Sequence, residues 1–266
     1  MRRACAAVLL AALLGVTSPA LAQCRQALAL GLDVSGSVDA TEYRLQLDGV
    51  ARALLDDQVA DAFLIMPDAP VRLMVFEWSA RLHQRQIIGW TAIQSREDLA
   101  RIADKLLTTG AVSVDNPSTA IGAAMLYGVK ELQSQAECWQ KTLDISGDGP
   151  ANIGLHPQDI RPEEIGDVVI NGLVIGPDAP ANINKNRHNL KSLMEYYNAY
   201  VLRGFGAFGE PAEDYSDFER AMRRKLIREL QPVAVSALPE KDRAGLTTGA
   251  MATPRHAAPI QTEDPG

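Results

Sequence analysis

The stretch Ala27-Leu28-Ala29-Leu30-Gly31-Leu32-Asp33-Val34-Ser35-Gly36-Ser37 joins an unbroken apolar run to a turn carrying one carboxylate and two hydroxyls. A run of strand length with no polar alternation has no face to turn to solvent, so it reads as a strand buried on both sides, the kind covered by helices in a parallel sheet. The next segment has a different period: from Ala40 to about Asp57, residues Tyr43, Leu47, Val50, Ala51, Leu54 and Leu55 fall on one helical face. A buried strand feeding an amphipathic helix is the opening of an α/β domain with a mainly parallel sheet.

The alternation continues along the chain. Val71 to Trp78 and roughly His83 to Trp90 read as paired strands, and Ser95 to Leu107 as a helix with Ser95 as its cap. Ser118 to Leu132 reads as a second helix, whose small face of Ala120, Gly122, Ala123 and Ala124 permits close approach to a sheet. Strands come next at Lys141 to Ser146 and Val168 to Ile175, separated by a polar loop rich in Pro and Gly. Helices at Asn189 to Tyr200 and Tyr215 to Leu230, with a short Gly-rich strand between them, close a domain spanning residues 23–230. Residues 231–266 hold prolines, no aromatic residue and no periodicity, and read as a disordered tail.

At the other end, Arg2 and Arg3 precede a short apolar run, Ala4 to Val16, and the small residues Ala20-Leu21-Ala22. This is the layout of a secretory signal over residues 1–22, and a run of about 13 residues is too short to span a bilayer, which takes roughly 20. The expected product is exported, periplasmic or secreted, with no membrane span. Loss of Arg2 and Arg3 takes the formal charge from -7 to -9. An acidic chain lacks the clustered Lys and Arg that phosphate binding needs, so no nucleic-acid partner is expected. Cys5 leaves with the signal, and Cys24 and Cys138 remain as a pair in a compartment where one bridge would persist.

The chemistry concentrates at strand ends. Asp33, Ser35 and Ser37 leave the carboxyl end of the first strand, where open α/β sheets bind ligands. Ser118 and Thr119 precede a helix, and Gly147-Asp148-Gly149 comes directly after the KTLDIS strand. One carboxylate from each of two loops with neutral hydroxyls between them makes an all-oxygen set suited to a hard divalent cation held partly through water. Taken alone, DVSGS also fits a Ser/Gly turn in which Asp33 caps the next helix.

These motifs together resemble the von Willebrand factor A domain with a metal-ion-dependent adhesion site, in particular a secreted bacterial subgroup. DxSxS is intact as Asp33, Ser35 and Ser37; Thr119 in TAIGAAM matches the family's threonine; and Asp148-Gly149 matches its later Asp-Gly. The resemblance implies a single doubly wound, mostly parallel sheet with helices on both faces. It further implies metal ligation by Asp33, Ser35, Ser37, Thr119 and Asp148, with Mg2+ or Mn2+ bound (Ca2+ also possible), and a protein partner presenting Asp or Glu. In that reading the protein is a binding module and not an enzyme, with no catalytic residues. In the family's strand order the strands beginning near Cys24 and Cys138 are parallel neighbours, so the resemblance also implies a Cys24–Cys138 disulfide where the chain leaves the ladder.

Two positions depart from the pattern. Gly147 stands where the family commonly has Thr, and Asp144 lies inside a strand expected to be apolar. Asp144 reads either as a group hydrogen-bonded behind the metal or as a structural carboxylate capping a nearby loop; the second is the expectation, since buried carboxylates persist only when satisfied.

Other signals fall away. Gly204 to Gly209 matches G-x-G-x-x-G, but Glu210-Pro211 stands where a helix should begin. His83, His156, His188 and His256 lack zinc-ligand spacing, and solvated or capping roles suffice for them. Arg220, Arg223, Arg224, Lys225 and Arg228, flanked by Glu219 and Glu229, read as a solvated face. The rival function is a haloacid dehalogenase-type phosphohydrolase with Asp33 as nucleophile, given GDGPAN at residues 147–152; Ser35 stands where its second carboxylate belongs, and Asn152 where an Asp would help hold magnesium. A degenerate scaffold without metal is the remaining alternative.

Overall fold

The computed structural model describes residues 24–110, 117–176 and 183–231, with 183–188 described by backbone only. The expected signal segment, Cys5, His256, the His188 side chain and all of the expected tail but Gln231 lie outside the described residues.

Six strands form one sheet in the order β3-β2-β1-β4-β5-β6. They are β1 (Cys24–Asp33), β2 (Val71–Trp78), β3 (Gln84–Ile93), β4 (Cys138–Gly147), β5 (Val169–Ile175) and β6 (Gly209–Ala212). Only β3 is antiparallel to its neighbour, as expected for a strand joined to β2 by a short turn. From β1 the chain winds outward through β2 and β3, then returns to place β4 on the other side of β1. The order therefore reverses between β1 and β4, and the crevice at their carboxyl ends is the place where such sheets take ligands.

Side-chain alternation sorts two cores. Leu28, Leu30 and Leu32 of β1 face a layer built from α1 (Ala40–Leu55), α2 (Asp57–Leu64), α3 (Arg96–Thr108) and α7 (Phe218–Glu229). Ala27 and Ala29 face the opposite layer, with α4 (Ile121–Gln133), the single turn α5 (Pro162–Ile165) and Leu193 of α6 (Ile183–Tyr196). The sheet is thus mostly parallel and covered by helices on both faces, as read from the sequence.

Local chemistry sets the helix starts. Asp39 caps α1, accepting from the backbone of Thr41 at 2.7 Å and Glu42 at 2.9 Å, while Glu42 accepts from the Asp39 N–H at 2.7 Å. Asp33 is therefore not the cap of this helix and is free for another role. Ser95 caps α3 as expected, with Asp98 completing the box.

The structure also corrects the reading. Helix α2 goes unread because Asp56 ends α1 and caps α2 at once, and only Val59, Ala60 and Phe63 mark its buried side. Helix α4 begins at Ile121 rather than Ser118, leaving Ser118 and Thr119 in the loop. Helix α6 starts earlier than expected and gives way to a π turn, Tyr197–Val201. The bridge forms between Cys24 and Cys138, which are register partners inside the ladder rather than beyond it, with Cα atoms 4.3 Å apart.

The basic stretch on α7 is only partly a solvated face. Arg220, Arg223 and Arg224 pair with Asp217, Asp56 and Glu210 near the surface, but Lys225 is fully buried. Its partner is Asp144, which caps no loop: its carboxylate points into the α7 layer at 3.1 Å from Lys225 Nζ. Spacing alone missed this pair, because a charged residue can occupy a core position when an opposite charge from a distant element meets it.

Candidate metal centre

β1 ends at Asp33, whose side chain lies on the α4 and α6 side of the sheet and is fully buried. Its Oδ1 accepts the Ser35 N–H at 2.7 Å, a two-residue turn that folds the loop back over the strand end. The turn brings Ser35 and Ser37 together, their hydroxyls 3.3 Å apart, and the Ser37 hydroxyl donates to Asp148 Oδ1 at 2.7 Å. Asp148 arrives from the end of β4, and its Oδ2 accepts from the Tyr215 hydroxyl at 3.2 Å. Four of the five expected ligands, Asp33, Ser35, Ser37 and Asp148, thus share one continuous cluster over the β1/β4 crevice.

Thr119 belongs to the neighbouring loop. Asn152 holds it three ways: Asn152 Oδ1 accepts the Thr119 N–H at 2.9 Å, the Asn152 N–H donates to the Thr119 carbonyl at 3.0 Å, and Asn152 Nδ2 donates to Thr119 Oγ1 at 3.4 Å. The same loop is tied to the end of β2, where the Ser79 carbonyl accepts the Ala120 N–H at 3.0 Å. It packs on the first loop at Gly36, where a β-carbon would lie 3.1 Å from the Pro117 carbonyl oxygen. Sequence reading weighed Asn152 only as a failed phosphatase ligand; the structure makes it the residue that fixes Thr119.

The electrostatics of the cluster are those of a site short of positive charge. Burial, and then the charge of Asp148, push the Asp33 carboxyl up to about 8, against the lowering effect of the Ser35 N–H. Asp33 Oδ2 is buried without a hydrogen-bond partner. Such an oxygen costs free energy unless a donor or a cation meets it. With neutral hydroxyls and a second carboxylate alongside, the donor set fits a hard, oxygen-seeking cation. Among the described residues no group of three or more His, Cys, Asp or Glu is placed to hold a metal, so any ion here would depend on the hydroxyls as well as the two carboxylates.

Gly147 now has a physical reason. A β-carbon at 147 would lie 2.5 Å from the Tyr197 hydroxyl and 3.1 Å from Asp33 Oδ2. The first residue of the π turn thus fills the space that a side chain at 147 would occupy. Tyr197 is fully buried, its hydroxyl has no hydrogen-bond partner, and its acidity is suppressed by burial and by the nearby Asp33 and Asp148. Trp78, whose ring edge is 3.5 Å from the same point, completes this inner wall. Neither aromatic residue carries a motif, and the only sequence signal was the glycine itself. On the outer side a cleft of about 390 Å³ opens between Asp148, Pro150 and the α6 residues Asn189, Ser192, Leu193 and Tyr196.

The family described as "Protein of unknown function (DUF1194)" matches residues 23–234. The chain belongs to this family. No curated protein matches it. Among solved structures, proximal thread matrix protein 1 from the mussel byssus is similar over 79% of this chain and 47% of its own length, at 16% identity and a TM-score of 0.50. The PilB minor pilin from Streptococcus sanguinis is similar over 84% of this chain and 65% of its own, at 12% identity and a TM-score of 0.51. The chain spans about half the length of the first and under two thirds of the second. At such identities the likeness concerns the fold, which is of the von Willebrand A type. This DUF1194 chain therefore carries that fold with Gly147 and Tyr197 set behind its DxSxS loop.

Proposed function

We propose that this chain is an exported binding module that holds a divalent metal over the β1/β4 crevice and uses it to capture a carboxylate of a protein partner. The observation that carries this reading is the cluster itself: two loops distant in sequence put Asp33, Ser35, Ser37 and Asp148 in one hydrogen-bonded group, with a buried carboxylate oxygen left unpartnered. Ser35, Ser37 and Thr119 would hold the ion directly, while Asp33 and Asp148 act mainly through water. Mg2+ or Mn2+ suits this set, with Ca2+ also accommodated. When bound, the ion supplies a Lewis-acidic position that an outside Asp or Glu can complete.

The protein's own groups do the rest. Asn152 orients Thr119, the Ser35 N–H orients Asp33, and Tyr215 and Ser37 share the two oxygens of Asp148. Leu193 and Tyr196 border the cleft beside Asp148, so an arriving acidic side chain brings its neighbours against apolar surface. Among the described residues no helix is long and apolar enough to cross a membrane.

Differential scanning fluorimetry in millimolar Mg2+ or Mn2+ against EDTA tests the reading, because a ligand bound only by the native state stabilises by RT ln(1 + [L]/Kd). A raised Tm that Ser35→Ala abolishes is expected. Equal Tm values with and without metal would refute the metal site, and metal-dependent phosphatase turnover lost in Asp33→Asn would replace module with enzyme.

A further inference from the structure

We propose that Lys225 and Asp144 condense into an intramolecular amide, cross-linking helix α7 to the central strand β4, with Glu229 as the acid–base catalyst. The inference is independent of the metal site.

Three ionisable side chains meet in the core between α7 and the sheet. Lys225 is 0% exposed, Asp144 1% and Glu229 5%. Lys225 Nζ lies 3.1 Å from Asp144 Oδ1 and also contacts Glu229 Oε1, one helical turn further on. Glu229 is oriented from the far side by Asn171, whose Nδ2 donates to Glu229 Oε1 at 2.7 Å while its Oδ1 accepts the Phe208 N–H at 3.0 Å. The Phe208 ring stands 5.0 Å from Lys225 Nζ, a close aromatic wall on the amine. Amine, carboxyl and a third group able to carry a proton between them are thus held together in a nonpolar enclosure.

As an ion cluster this arrangement balances poorly. Two carboxylates face one ammonium, and burying charges in this way is often no better than filling the space with apolar groups. Neither Asp144 oxygen has a hydrogen bond of good geometry, although Lys225 is at ion-pair distance. Burial pushes the Asp144 carboxyl up to about 7, with Lys225 opposing and Glu229 adding to the rise, so the neutral acid is accessible near neutral pH. Burial also lowers Lys225, but Asp144 and Glu229 outweigh it and hold the ammonium form. One proton must therefore leave Lys225 before it can attack, and Glu229 is in contact to take it.

The step balances within the triad. Lys225 transfers a proton to the Glu229 carboxylate, and the neutral amine attacks Asp144 Cγ. Glu229 relays a proton from the nitrogen to the departing hydroxyl, and one water leaves. Ammonium, carboxylic acid and carboxylate become amide, water and a neutral Glu229, with no oxidant or activating group required. Condensation is unfavourable between free molecules in water, but groups held in contact reach effective molarities of about 10⁵–10⁸ M. The product also leaves no charged group in the enclosure, where the reactants held a buried ammonium and a buried carboxylate.

Intact-mass spectrometry of the exported full chain, denatured and with its disulfide reduced, decides the matter. The wild type is expected to be lighter than its sequence by one water. After trypsin, Lys225 should resist cleavage, and the peptide Lys225–Arg228 should appear joined to the peptide carrying Asp144. Glu229→Gln and Lys225→Arg should each restore the full mass. A wild type at full sequence mass overturns the proposal whether or not any variant folds, and loss of water persisting in Lys225→Arg overturns the assignment of the nucleophile.

Discussion

Reducing the Cys24–Cys138 disulfide should cost this domain several kcal/mol, and the structure fixes the scale. The two cysteines are 114 positions apart, so the bridge closes about half of the folded domain into one loop. For loops of this length the chain-entropy relation gives about 4.8 kcal/mol at 25 °C, an upper value because a reduced, unfolded chain retains some compactness. The native side changes little: both residues are buried at the first register pair of β1 and β4, and neighbouring backbone bonds hold the strands together without the bridge. Because the effect acts on the unfolded chain, the urea midpoint should fall and the slope of the transition should rise, as the reduced chain expands further. A loss of this size corresponds to roughly 10 °C in Tm for a domain of about 200 residues. The assay is equilibrium urea unfolding with and without a non-thiol reductant, with thiol titration proving reduction. A fully reduced protein that unfolds within about 1 kcal/mol of the oxidised one would refute the reasoning. So would an equal loss in a Cys24→Ala/Cys138→Ala variant after the reductant is added, since that chain has no bridge left to lose.

Gly147→Ala should destabilise by about 1–3 kcal/mol, as overpacking does, because the new methyl group meets the Tyr197 hydroxyl; Tyr197→Phe in the same chain should recover much of the loss in a double-mutant cycle read by urea unfolding. Asn152→Ala should weaken Mg2+ or Mn2+ binding about 10–100-fold by calorimetry, the usual effect of removing a partner that orients a ligand, while secondary structure by circular dichroism is unchanged. In EDTA, stability should fall as pH rises from about 4 to about 8: the unfolded chain loses the Asp33 proton near its ordinary value, whereas the native state keeps it up to about 8. Saturating metal, or Asp33→Asn, should remove the share of that slope that belongs to Asp33, leaving the share of the buried Asp144 carboxyl, in urea midpoints measured across the range.

How far sequence reading reached depends on where each signal resides. The order of elements and the mostly parallel sheet were legible because buried strands such as Ala27–Asp33 and capped amphipathic helices such as α3 announce themselves in consecutive residues. DxSxS, Thr119 and Asp148 were legible for the same reason, each sitting at the end of a recognisable strand or the start of a helix. What stayed hidden is tertiary. Tyr197 reaches the site from the first position of a π turn, 50 positions after Gly147, and Asn152 reaches Thr119 across a loop packing that no local spacing encodes. Lys225 looked solvated because four arginines surround it in sequence; its burial is decided by Asp144, 81 positions away and in the middle of a strand.

The two ends of β1 and β4 are fastened by different chemistry, and this bears on what the site can do. At the amino ends the disulfide joins the strands covalently; at the carboxyl ends the Ser37 hydroxyl and Asp148 join their loops at 2.7 Å. Helix α7 is tied to the same strand twice, by Lys225 at Asp144 in the core and by Tyr215, just before the helix, at Asp148 on the rim. Asp148 therefore cannot move toward or away from Asp33 without disturbing α7, Tyr215 or the Ser37 loop. A carboxylate held this firmly costs little ordering entropy when an ion arrives, which favours affinity through preorganisation. In the proposed metal site the same rigidity would hold Ser37 and the water-bridging carboxylates at fixed positions, so that selection among cations would follow size and coordination demand rather than folding around whichever ion is present.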